Sequence, residues 1–567
     1  MSFFSPITNR SASIRVLYSS VYLLLGIGAI TVIYPLCVTI SGSMSGPYES
    51  EPITIYPKFL FHDRALWSRY LEARYGGVVD NLKMACGDES VDFYKPPYPT
   101  SRGNESVVGL WKKFRAEKGA LSTEQAGLAF ARSVRRDASY ENDRFRKWLL
   151  DRYGNDLQSL NAALLIEAPR PTYIVPPIQS RVVLPDVVTP FTTVFGKYLA
   201  TVPESRRLIW NIGGFYRGVY LPRVFGTDVK AYNRTFGTEY ASYRDVPFPA
   251  SVPKLGSDPW FQFVQRVLNA SFIELSPEGE RAWQESKLTK VDFIRTKAQP
   301  QQVKVVSVDT EFGEWAAKRG LTDAIIPQIA VDWETFQSEK GFWRWQFAVQ
   351  NFHYVLDEIL IQGNGVRNTF ILVGLSILGA LTVNPMAAYA LSRFKLRQSY
   401  HVLLFFLATI AFPAEVAMIP NFLQIKELGM INTFWALVIP GLVNGFSIFL
   451  LKGFFDSLPK ELYEAADIDG ASEWQIFWGI TMRLSLPILA VVALGAFGSA
   501  YGAFMFALIL VPDPSMWTIM VWIYQLQQGA GQGVIYASIL ITAIPLLLVY
   551  LCAQNVILRG IVVPTEK

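Results

Sequence analysis

Glu464-Ala465-Ala466-Asp467-Ile468-Asp469-Gly470-Ala471 lies between two long apolar segments, and its reading decides what those segments are for. The sequence predicts a helix that begins around Pro459, since proline is tolerated in a first turn. It should stop at Gly470, whose missing Cβ permits a left-handed cap. A second helix is expected at once, because Ser472 can cap it and Gln475, three residues on, can reach back to Ser472. Residues 457–483 therefore read as a helix-turn-helix lying across a membrane face.

Composition supports a membrane setting. The 51% hydrophobic and 17% charged content averages a strongly apolar C-terminal part with an ordinary middle. A span needs about 20 apolar residues to cross about 30 Å of hydrocarbon. Six segments qualify: Val16 to Ile40, Phe370 to Leu391, Val402 to Ile425, Phe434 to Phe455, Leu484 to Val511 and Val534 to Leu558. Pro413, Pro420 and Pro440 interrupt the third and fourth, as happens where helices line a pathway or pack on neighbours. Arg10 and Arg15 before the first span, Arg393, Lys395 and Arg397 after the second, and Arg559 after the sixth put alternate loops inside. Both termini are then expected in the cytoplasm, the 457–483 loop inside and the long segment after the first span outside. The first apolar run is too long for a cleaved leader, and Ser41-Gly42-Ser43-Met44 offers no clear cleavage site.

The Glu-Ala-Ala, three residues, Gly pattern resembles the cytoplasmic loop of permease subunits of binding-protein-dependent ABC importers. Arg367-Asn368-Thr369, the run Ala387 to Arg393, Gly429 to Thr433, and Trp517-Thr518 are similar to the signposts of the carbohydrate, maltose-permease-like branch. The resemblance is loose over residues 16–45 and close over 345–563. It implies an all-α polytopic membrane protein with six transmembrane helices in the type I importer fold. Between the first and second spans sits a mainly helical, mixed α/β extracytoplasmic domain that ordinary members lack. The expected division is 1–45, with the first span; 46–345, the insert; and 346–567, the remaining five helices.

By that resemblance Glu464 pairs with an arginine of a partner ATPase, Gly470 permits the bend, and Ile480 belongs to the motif's end; Ala465 and Ala466 are compact enough for close helix approach, and Asp469 belongs to the same coupling loop. Where the family places proline, Arg483 stands here, and Pro487 supplies the break instead. An isolated Glu-Ala-Ala on an exposed loop would be no more than solvated acids; six spans around it change that reading. No Gly-x-x-x-x-Gly-Lys-Ser/Thr phosphate loop occurs in the sequence, so ATP and magnesium are expected on two partner ATPase subunits and no cofactor on this chain. A second permease subunit, an extracytoplasmic substrate-binding protein and the lipid of a bacterial inner membrane complete the expected partners. No nucleic-acid motif is present.

Polar groups inside spans are costly, so each is a candidate for the pathway or for an interhelical hydrogen bond. Glu415, beside Pro413, either lines the pathway or sits near the outer headgroups. Asn421, Asn444, Ser499 and Tyr501 are the further candidates. Family members often carry Trp-Asn where Tyr501-Gly502 stands, so the aromatic is kept and the amide is not.

The insert repeats itself. Trp67, Tyr70, Arg74 and Gly76 return as Phe145, Trp148, Arg152 and Gly154. Weaker copies begin at Trp111, Phe312 and Trp333. Aromatics at i and i+3, a base at i+7 and a glycine just after describe one face of a short helix with a cationic, glycine-capped end. Either these aromatics pack helical hairpins together or they stand exposed to grip sugars or the binding protein. Residues 169–259, rich in proline and β-branched residues, and Val303 to Val308 read as short strands or extended linkers. One cysteine, Cys86, lies in the insert and three histidines are scattered, so neither a disulfide framework nor a metal-site spacing emerges. The rival assignment is a membrane-anchored surface protein whose insert binds or hydrolyses carbohydrate.

Overall fold

The computed structural model describes residues 12–46, 54–99, 104–119, 121–132, 139–177, 182, 188–254, 257–321, 324–361, 363–394, 397–410 and 414–560. Two compact units emerge, Met1–Asn351 with Ala530–Gly533, and Phe352–Gly529 with Val534–Lys567.

The first unit opens with the helix Ala12–Ser43, whose apolar side chains from Val21 to Leu36 are exposed on every side. A helix apolar all round that no protein core covers is long and apolar enough to cross a membrane. The rest of the unit is built from helices, chiefly Asp63–Arg74, Asn104–Lys118, Tyr140–Arg152, Pro190–Thr201, Ser257–Arg266, Val308–Ala317 and Gln328–Leu356. Two small antiparallel pairs join them: Ala126–Leu128 with Arg207–Ile209, and Ile273–Leu275 with Val303–Val305. The 169–259 stretch is thus mainly helical rather than extended, with one three-residue strand among its described residues. Thr189 and Thr192 close a capping box ahead of Pro190, and Phe195, Tyr198 and Leu199 bury one face of that helix. Capping and burial outweigh the β-branched residues between them. Residues 178–181 and 183–187, part of the same expectation, lie outside the described residues.

The aromatic repeats fall on helices, and most of their rings are packed inside, with Trp148, Trp315 and Trp333 half-buried. Trp67, Tyr70, Phe145, Phe312 and Phe336 are fully buried. Trp67 meets Trp333 edge-on at 4.9 Å, and Trp111 meets Phe312 at 5.1 Å. The base stands four residues after the second aromatic, where it can cover that ring: Arg152 lies 5.6 Å from Trp148 and Arg319 3.7 Å from Trp315. Gly76, Gly154, Gly119 and Gly320 adopt φ between +66° and +85°, as helix-ending glycines do. The fifth copy departs from this, because Gly341 sits inside the helix Gln328–Leu356. There Trp343 and Phe347 continue the buried face past the glycine, so packing carries the helix onward. A buried ion pair, Arg74 to Asp332 at 2.8 Å, ties the first copy to that helix, with the Tyr75 hydroxyl donating to Asp332 at 2.6 Å.

In the second unit, Gly365–Arg393 and Gln532–Gly560 are long apolar helices. With the N-terminal helix, three described helices are long and apolar enough to cross a membrane alone, and up to five spans result if each bent pair is one. The fourth expected span bends by 51° between Phe434–Gly441 and Gly445–Asp456, next to Pro440. Of the third, the described parts are the helices Ser399–Ile410 and Ala414–Glu427, the latter running through Pro420; Pro413 lies outside the described residues. The fifth comprises Leu486–Tyr501 and Phe504–Leu510, separated at Gly502.

Candidate functional site

The loop after Asp456 forms as its residues dictate. Pro459 precedes the helix Lys460–Ile468, and Gly470 ends it with φ +76°. The amide of Ala471 donates back to the Ala466 carbonyl at 3.0 Å, closing the last turn. Ser472 then caps Glu473–Ile476: its amide donates to Gln475 Oε1 at 2.8 Å, and the Gln475 amide donates to Ser472 Oγ at 3.4 Å. Phe477–Thr481 continues as a π-turn holding half-buried Ile480. The chain bends by 83° at Ser485, and exposed Pro487 stands in the first turn of Leu486–Tyr501.

Two faces of this loop differ sharply. Inward, Tyr463, Ala466, Ile476 and Phe477 join a core with Ile448, Leu451, Phe455 and Ile488. Polar clamps hold the same side to the end of Gly365–Arg393. Tyr389 donates to Glu473 Oε2 at 2.7 Å, and the Arg393 guanidinium lies 3.2 Å from the Tyr463 ring centroid while donating to the Phe455 carbonyl at 3.0 Å. The Tyr463 and Thr481 hydroxyls share a buried hydrogen bond of 3.0 Å. Outward, Glu464, Ala465 and Asp469 are exposed, and so are Ile468 at 86% and Trp474 at 63%. Glu464 makes no ion pair among the described residues.

The pathway candidates divide. Asn444 caps Gly445–Asp456 with its side chain, while its amide donates to Asn384 Oδ1 at 2.9 Å. Asn384 Nδ2 in turn donates to the Leu442 carbonyl at 3.2 Å, so this pair fastens two helices, with Asn384 buried and Asn444 exposed. Tyr501 is buried, and its hydroxyl donates to the Thr542 carbonyl at 2.7 Å, again an interhelical bond. Ser499 is exposed and Asn421 half-buried. Glu415 stands on the first turn of Ala414–Glu427, and its side chain lies outside the described residues. No hydrogen bond joins these five positions to one another among the described residues.

Sequence reasoning named Arg367-Asn368-Thr369 and Trp517-Thr518 as separate signposts; the structure brings them together. Asn368 donates to the carbonyls of Ser515 at 2.8 Å and Trp517 at 3.0 Å, and the Ile519 amide donates to Thr369 Oγ1 at 2.8 Å. The Tyr389 and Arg393 clamps were also missed as functional residues, although both stand in the quoted run Ala387 to Arg393.

Residues 376–563 match the family model described as binding-protein-dependent transport system inner membrane component. The polygalacturonan/rhamnogalacturonan transport system permease protein YtcP of Bacillus subtilis (strain 168) is 28% identical over 239 residues, covering 39% of this chain and 82% of that protein. A putative ABC transporter permease protein, ORF2 of Caldicellulosiruptor sp. (strain Rt8B.4), is 31% identical over 231 residues, again covering 39% and 82%. Among solved structures, a bacterial ABC transporter involved in the import of the acidic polysaccharide alginate contains a chain 26% identical to this one, covering 36% of this chain and 78% of that one, with a TM-score of 0.33.

Proposed function

Since the chain belongs to the family of binding-protein-dependent transport system inner membrane components, and is thus a multi-pass membrane permease subunit, we propose that its 457–483 loop couples closure of two partner ATPases to alternating access. The observation that carries this reading is the two-faced loop. Its inner side is clamped to the helix Gly365–Arg393 through Tyr389 and Arg393, while its outer side presents Glu464 among exposed Leu462, Ile468 and Trp474. A push on the outer face reaches a long apolar helix without passing through a flexible segment. A desolvated, charge-assisted contact at Glu464 contributes about 1.5–3 kcal/mol.

Cargo of the carbohydrate or related polyol class is supported by the similarity to a permease named for polygalacturonan and rhamnogalacturonan transport. ATP and magnesium belong to the ATPases, a second permease subunit completes the cavity, and a substrate-binding protein delivers cargo outside. Both termini and the 457–483 loop are cytoplasmic in this reading, and residues 46–345 face outward, where they contact the binding protein. Gentle affinity purification of the tagged chain from its native membrane tests it. Co-purifying ATPase and second permease, with sugar-stimulated ATP hydrolysis, are expected; a chain that purifies without a nucleotide-binding partner would contradict it. Deletion of residues 50–340 separates the rival surface-protein assignment, which requires loss of a capture or hydrolytic activity with uptake intact.

A further inference from the structure

A cavity of about 480 Å³ opens in the first unit between the helices Tyr140–Arg152 and Pro190–Thr201 and the turn Glu204–Arg206. Its size falls within the range of small-molecule sites. Glu141, 1% exposed, contributes a carboxylate to its lining. One oxygen accepts from the Tyr198 hydroxyl at 3.0 Å. The other, Oε1, is buried with no hydrogen bond, its ion-pair partner Arg206 Nη1 standing 3.5 Å away. A buried carboxylate oxygen without a hydrogen bond is costly unless a ligand or water supplies a donor. Burial raises the Glu141 carboxyl above the usual range, with the Tyr198 hydroxyl and Arg206 opposing.

Arg144 and Lys147 also line this cavity, both exposed and neither in an ion pair with an acid among the described residues. Arg144 instead donates to the Tyr140 hydroxyl at 3.0 Å. Asp151 is the other acid of the lining, against three bases. Trp148, half-buried, forms an aromatic wall propped by Tyr198 at 5.3 Å. Hydroxyl donors suit the Glu141 Oε1 that accepts no hydrogen bond, and an apolar sugar face suits the half-buried Trp148. A carboxylate suits Arg144 and Lys147, neither within ion-pair distance of an acid among the described residues although Arg144 also feels the Glu141 charge.

We propose that this cavity is a binding site for an acidic saccharide, a uronate unit whose hydroxyls meet Glu141 and whose carboxylate meets Arg144 and Lys147. It shares only the carbohydrate class with the import reading and lies outside the segment matched by the family. Isothermal titration of the full chain in nanodiscs, with digalacturonate and with neutral galactobiose as probes, tests it. Digalacturonate is expected to bind at least tenfold more tightly than galactobiose. The double variant Arg144→Ala with Lys147→Ala, changed only at exposed positions, should lose at least tenfold in digalacturonate affinity while melting like the parent. Absence of digalacturonate binding, equal affinity for the neutral disaccharide, or unchanged affinity in the double variant would each overturn the proposal. No ATPase is present in this titration, so a failure of the coupling reading would leave its result unchanged.

Discussion

Aromatic and aliphatic side chains meet opposite fates in the two units. In the insert, Trp67, Tyr70 and Phe145 are sealed in a core of their own making, whereas in the 457–483 loop Ile468 and Trp474 stand bare beside Glu464. Both segments are short helices ending at a left-handed glycine, Gly76 or Gly154 in one case and Gly470 in the other. The difference is what lies opposite. Four of the insert's repeats pair off, Trp67 against Trp333 and Trp111 against Phe312, while Phe145 packs on Phe195 and Tyr198, so each apolar face is covered within the insert. The loop buries only its inner half and leaves its outer half bare, the half that the proposed function sets against an ATPase.

The largest effect expected from this contrast is on transport. Glu464→Lys and Gly470→Asp should abolish uptake while the chain still inserts. Nothing lies within 4 Å of where a Cβ on Gly470 would sit, so the cost within this chain is the left-handed backbone alone, about 1–2 kcal/mol. Loss of uptake with normal membrane levels would then report a blocked partner; normal uptake in both variants would break the comparison. Next comes stability. Trp67→Ala should cost the insert about 3–5 kcal/mol, read as a fall in the temperature at which it becomes protease-sensitive. Ile468→Ala should leave that temperature unchanged.

A smaller, sharper effect is expected where the loop meets its helix. Tyr389→Phe removes the hydrogen bond to Glu473 and should reduce cargo moved per ATP hydrolysed several-fold, with complex assembly intact. Glu473→Gln in the same background should add little further, since one bond is already gone. Equal falls in uptake and in assembly would mean that the bond holds the loop's shape and nothing more. The smallest effect concerns pH. Because Glu141 binds its proton more tightly folded than unfolded, its contribution to stability is complete below about pH 4.3, the ordinary glutamate value. It is lost as pH rises through the raised folded value. Glu141→Gln should flatten the decline in denaturation midpoint between pH 4 and pH 7; an unchanged slope would place the pH dependence elsewhere.

Local chemistry with a short reach was legible in the sequence. The capping box at Ser472 and Gln475, the stop at Gly470 and the aromatic face of the insert's helices each depend on residues within a turn or two. What depended on distant partners was not. Gly341 looked like a helix end until Trp343 and Phe347 carried the helix through, and the sequence left Asn444 and Tyr501 open between pathway and interhelical bond because it does not show Asn384 and the Thr542 carbonyl as their partners. Pro420 read as an interruption of the third apolar run, and the helix Ala414–Glu427 runs through it. The cavity beside Glu141 assembles side chains from one helix and from a segment roughly 60 residues further along the chain, Tyr198 to Arg206, and no spacing rule connects them.

Photo-cross-linking from the position of Ile468, in native membranes with the full transporter present, tests the central claim most directly. A covalent product with the ATPase subunit, lost when Glu464→Lys is added and absent when the photoreactive group replaces Glu314 in the insert, is the result expected. Normal uptake with no ATPase cross-link from that position would contradict the assignment of this loop as the docking element.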